Sequence, residues 1–150
     1  MATMFEAFIN RLFKPEPEPL PQPDARLALA ALMVRVARAD QHYHAPEAAE
    51  IDRLLSQHYE LSAEEAAELR AEAEILESEA PDSVRFTRAL KQAVDYEERA
   101  WLFEALWSVA LSDGRRAHEE DQVLRLVASL LGVRDQDSAR ARQRVQRRAE

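Results

Sequence analysis

The chain has 150 residues, enough to bury a core as one domain. With two glycines and 47% hydrophobic content rich in Ala and Leu, it favours helices over a sheet-rich fold. A net charge of −8 argues against nonspecific nucleic-acid binding, and the absence of cysteine removes disulfides and thiolate sites and fits the cytoplasm.

The first segment, "MATMFEAFINRLFKP", places Phe5, Phe8, Ile9, Leu12 and Phe13 at helical spacing as one apolar stripe over 1–13. Glu6, Asn10 and Arg11 interrupt it and no basic n-region precedes it, so it does not resemble a signal peptide. It is also short of the ~20 residues that span a bilayer. Prolines at 15, 17, 19, 21 and 23 make residues 14–23 a stiff, extended linker. Three readings of the 1–13 helix stay open: folding back on its own domain, docking on a protein partner, or lying on a membrane surface.

The globular part, 24–150, opens with Asp24 as an expected helix N-cap. "ARLALAALMVRVARAD" (25–40) predicts a helix with Leu29, Leu32, Met33 and Val36 inward. The next helix covers about 46–58, with Pro46 in its first turn and Ile51, Leu54 and Leu55 inward. The capping box Ser62-x-x-Glu65 opens a third over 62–82, a stretch with eight acids and one arginine. That charge is read as a solvated face, with a basic partner or the chain's own arginine-rich tail as alternatives. A shorter helix follows near 83–94, and Asp95-x-x-Glu98 caps another over 98–113. Two more are expected at 118–131 and 136–148, the last in a stretch with six arginines against three acids.

Sliding the chain by 73 residues lays "ARLALAALMVRVARAD" over "ERAWLFEALWSVALSD". The same slide aligns Asp40 with Asp113, Glu47 with Glu120, Ile51 with Leu124 and Leu54 with Val127. The expected fold is therefore all-α: a single-domain bundle of two pseudo-symmetric helix–turn–helix halves with about seven helices.

At these residues the chain resembles the TerB-like tellurite-resistance proteins, whose fold is shared by the N-terminal domain of the co-chaperone DjlA. "ARAD" with Glu47 carries the likeness in one half. "ALSDG" with Glu120 and "VASLLGV" carries it in the other, and 85–114 looks like the family's central stretch. The likeness covers about 24–148. It implies a helical bundle in the bacterial cytoplasm, tied to tellurite and other chemical stress, often in protein assemblies near the inner membrane. It implies no enzymatic activity. It also implies that acids in the two turns form a divalent-cation site, for calcium or another ion. The family turn runs Asp-Gly, then an acid four positions after the Asp and a Glu seven after it. Here Gln41 replaces the glycine of the first turn, and His44 and Ala117 replace the inner acids. Only Asp40, Glu47, Asp113 and Glu120 carry over.

An EF-hand reading fails, because Gly, Arg, Arg, Ala and His follow Asp113 where alternating oxygen ligands are needed. Helix capping by Glu47 and Glu120 explains the turns without a metal, and the two roles can coexist. His42, His44 and His58, with Asp40 or Glu47, are candidate zinc ligands only if they converge. Trp101 and Trp107 are expected in the core. No Cys nucleophile, Gly-rich phosphate loop or Ser elbow supports catalysis, and a metal-dependent hydrolase on the acidic turns is the weakest reading. The competing function is a protein-interaction domain like that of DjlA, without metal.

Overall fold

The computed structural model describes residues 22–39, 43–79, 88, 91, 96–112 and 118–148. Among them are six α-helices: α1 Gln22–Ala37, α2 Ala45–Tyr59, α3 Ala63–Glu79, α4 Tyr96–Ala110, α5 His118–Leu131 and α6 Asp135–Arg148. There is no strand among the described residues. The stripe over 1–13, most of the linker and nearly all of the expected helix at 83–94 fall outside the described residues.

Two helices bury most of their described side chains. In α1, Ala28, Ala30, Ala31, Leu32, Met33, Val34 and Val36 have no exposed surface. In α4, Leu102, Phe103, Ala105, Leu106, Val109 and Ala110 are at most 2% exposed. A helix buried over most of its circumference is a central element, and these two pack against each other. The remaining four cover them, each burying one stripe. In α2 the stripe is Ile51, Leu54 and Leu55; in α5 it is Leu124, Val127, Ala128 and Leu131.

The packing keeps the internal repeat. α1 touches α2 and α3, as α4 touches α5 and α6. α2 touches α3 and α5 touches α6, while α2 crosses to α4 as α5 crosses to α1. Exchanging the two halves leaves this contact pattern unchanged, as expected when each half buries the other.

Local caps explain the boundaries. Ser62 and Glu65 form the expected reciprocal box: the Ser62 N–H donates to Glu65 Oε1 at 3.1 Å and the Glu65 N–H to Ser62 Oγ at 3.1 Å. Hydrogen bonding from the Ser62 backbone, and then from its side chain, holds the Glu65 carboxyl below its ordinary value. At the front, Asp24 is not the cap. α1 already includes Gln22 and Pro23, because proline's fixed φ suits a first helical turn.

The second helices of the two halves end alike. The Leu61 N–H donates to Ser56 O at 3.0 Å, and the Val133 N–H to Ala128 O at 2.8 Å, the long bond of a Schellman turn. The left-handed residue is Gly132 (φ 72) in one half and Glu60 (φ 54) in the other. These turns are 72 residues apart, so the repeat loses one residue between Leu55 and Tyr59. A left-handed non-glycine residue is strained, whereas glycine is not. Glu60→Gly is therefore expected to raise the unfolding free energy by about 1 kcal/mol, read from denaturant midpoints. Gly132→Ala should lower it by about as much. No atom lies within 4 Å of an added Cβ there, so backbone strain acts alone.

Ion pairs seal the seam of α3 on α1 and α2. Arg35 Nε donates to Glu77 Oε1 at 3.3 Å and Arg38 Nη1 to Glu77 Oε2 at 2.6 Å. Arg70 bridges Asp52 at 2.6 Å and Glu74 at 2.5 Å. The inward acids of α3 are thus neutralised by α1 and by its own Arg70. The arginine-rich α6 packs on α4 and α5 instead, so it is not the partner of α3 within the chain.

Candidate functional site

In each half an acid sits at the third residue of the second helix: Glu47 in α2 and Glu120 in α5. Both are buried to the level of the core, at 0% and 1% exposure. They are the only charged residues so buried among those described. Glutamate is seldom buried this completely, and here two are, at positions related by the repeat.

Part of the cause is capping. Glu47 Oε1 accepts the His44 N–H at 3.2 Å, which occupies an amide that the first turn of α2 leaves free. A carboxylate in a first turn also meets the positive end of the helix dipole. Glu120 shares its first turn with Glu119 and Asp121. Capping needs no burial, however: Glu65 makes the same bond on the surface.

Asp40 and Asp113, the other two acids of the expected site, lie outside the described residues. Among the described residues, no group of three or more His, Asp or Glu side chains gathers at metal-binding distance. Of the described histidines, His44 and His58 do not converge. His42 lies outside the described residues; His44 precedes α2 and His58 is in its last turn. That separation is roughly 20 Å along a helix. His58 stacks on Trp101, with ring centroids 3.6 Å apart and planes 11° apart, which ties α2 to α4. Trp107 is in the core as expected and donates through Nε1 to Ser138 Oγ at 3.2 Å. Trp101 is half-buried against His58.

Tyr43 stands just before α2, with the Arg38 guanidinium 5.3 Å from its ring centre. Burial pushes its phenol above the ordinary 10.0, and nearby Glu74 adds to this, opposed by Arg70 and Arg38. The fold favours the neutral phenol. That contribution to stability is intact at neutral pH and below 10.0, and is lost as pH rises through the raised folded-state value. Ultraviolet titration of the folded chain should show Tyr43→Phe removing a phenol that ionises above 10.0. Loss of an ordinary phenol instead would contradict the packing of this turn.

No helix of the described residues is long and apolar enough to cross a membrane. What the geometry supplies is a matched pair of buried carboxylates, each opening a helix that crosses to the other half. Sequence spacing identified both residues; it did not reveal that they are buried.

No curated protein and no solved structure matches the chain. A family model does, the one described as tellurite resistance protein TerB, over residues 26–143. That span runs from α1 into α6 and takes in both halves of the repeat, and the chain belongs to the TerB family.

Proposed function

We propose that the chain is a non-catalytic module of a bacterial tellurite or chemical-stress response, whose twin turns hold a divalent cation. Asp40, Glu47, Asp113 and Glu120 are the ligands, and partner proteins respond to the liganded form. The observation that carries this reading is the full burial of Glu47 and Glu120 at equivalent positions. A carboxylate taken out of water gains from a cation beside it, in addition to the bonds it already makes within the fold. The proposed donor set is all oxygen, the chain has no cysteine, and among the described residues no histidines gather with it. That chemistry suits calcium, magnesium or manganese better than zinc. Because α2 and α5 each pack on the central helix of the other half, a cation at their N-termini would couple the halves.

The test is calorimetric titration of calcium, magnesium, manganese and zinc into the EDTA-stripped full chain, with Glu47→Gln and Glu120→Gln alongside. Glutamine keeps the carbonyl oxygen that caps the helix but removes the charge. Binding of an ion by the parent chain, weakened about tenfold or more by either substitution, is expected. No heat with any ion would remove the cation reading.

A further inference from the structure

The third helices, α3 and α6, occupy equivalent places in the two halves and carry opposite charge. α3 has seven glutamates against one arginine, whereas α6 has five arginines against two aspartates. The Schellman turns that precede them set their correspondence at 72 residues. On that register three inward positions agree: Ala66, Leu69 and Ala73 of α3 fall on Ser138, Ala141 and Val145 of α6, all buried or half-buried, while buried Leu76 falls on exposed Arg148. The outward positions reverse sign. Glu68 falls on Arg140 and Glu72 on Arg144, and all four side chains are exposed.

The two outer faces also differ in relief. Beside Glu72 and Glu79 on α3 stands Ile75, 54% exposed, one of two large apolar side chains exposed among the described residues. Beside Arg140 and Arg144, where α6 meets α4, lies a cleft of about 410 Å³. Phe103 and Val133 line it, together with four arginines, Arg140 and Arg144 among them, and one acid, Asp137. One face therefore offers an apolar knob among acids, and the other an apolar hollow among arginines.

We propose that these two faces are halves of one interface, and that the acidic face of α3 on one copy docks on the arginine-rich face of α6 on the next. Glu68 and Glu72 are one helical turn apart, as are Arg140 and Arg144, so the charges match in spacing, ~6 Å along each axis. None of the ion pairs of the described residues uses Glu68 or Glu72. The arginines are held only at the surface, Arg140 by Asp137 at 3.6 Å and Arg144 by Glu104 at 3.2 Å. Exposed pairs of this kind are weak and readily exchanged. Within one chain the faces do not meet, since α3 packs on α1 and α2 and α6 on α4 and α5. The contact is heterologous: each docking leaves one acidic and one basic face free, so copies add head to tail into a ring or an open string. This inference does not rest on the cation reading.

The test is sedimentation velocity on the full chain across a wide concentration series, at low and high salt. Screening shortens from about 10 Å at 0.1 M salt to about 3 Å at 1 M. Weight-average mass is expected to rise with concentration past about twice that of the monomer at 0.1 M, and to return to the monomer at 1 M. Glu68→Arg with Glu72→Arg should abolish association, and so should Arg140→Glu with Arg144→Glu. All four sites are on exposed helix faces, and circular dichroism checks that each variant folds. Mixing the two double variants, or combining all four changes in one chain, should restore it. Ile75→Ala should weaken it. A parent chain monomeric throughout at 0.1 M salt would overturn the proposal, as would double variants that associate like the parent or a mixture that does not recover. Capture by phosphatidylserine vesicles of a chain that stays monomeric in solution would assign the arginine face to lipid and overturn it as well.

Discussion

Phe103→Ala is expected to lower the unfolding free energy by about 3–5 kcal/mol, the largest loss of any single substitution considered for this fold. Phe103 is 1% exposed and belongs to α4, one of the two central helices. Truncation removes its transfer free energy and leaves a void that the surrounding helices cannot fully close. The cleft beside Phe103 gives its neighbours some room to relax, which favours the lower part of the range. For a chain of this length the loss corresponds to a melting temperature lower by roughly 6–20 °C. Leu126 is the control: it is 46% exposed on α5, and Leu126→Ala should stay within about 0.5 kcal/mol. Comparable effects from the two substitutions would mean that α4 is not central.

Most of the fold was legible because its signals are local. The period of apolar residues gave the helices at 118–131 and 136–148 to within one residue of α5 and α6. The Ser62–Glu65 box was visible as a spacing and is present as a pair of hydrogen bonds. Where two local signals competed, spacing alone did not decide. Asp24 is a good cap, yet Pro23 suits a first helical turn, and α1 starts at Gln22. The left-handed turn at Glu60 could not be foreseen, because the residue is not glycine and only the paired bond from Leu61 to Ser56 reveals it.

The candidate site was legible in part. A slide of 73 residues brought Glu47 over Glu120, but burial is a property of packing, and no spacing rule showed that both would be sealed from water. The same slide concealed the charge reversal. Held at 73 it lays Glu68 over the buried Ala141; the residue lost at the end of α5 moves Arg140 into that place. His58 shows the limit for the zinc reading. Its partner is the Trp101 ring, more than forty positions away in the chain and adjacent only once α2 crosses to α4.

The divalent cation proposed for the turns that hold Glu47 and Glu120 carries the second large expected effect, through linkage. An ion that binds the folded chain alone adds about 2.7 kcal/mol when present at a hundredfold excess over its dissociation constant. With an affinity near 10 µM, 1 mM of the ion would raise the melting temperature by roughly 5–11 °C. The decisive measurement is thermal unfolding of the full chain in EDTA and then in 1 mM calcium, magnesium, manganese or zinc, repeated on Glu47→Gln with Glu120→Gln. A rise of roughly that size with at least one ion, absent in the double variant, is the predicted result. Identical melting in EDTA and in every ion would contradict the account, leaving Glu47 and Glu120 as helix caps buried for the packing of the two halves alone.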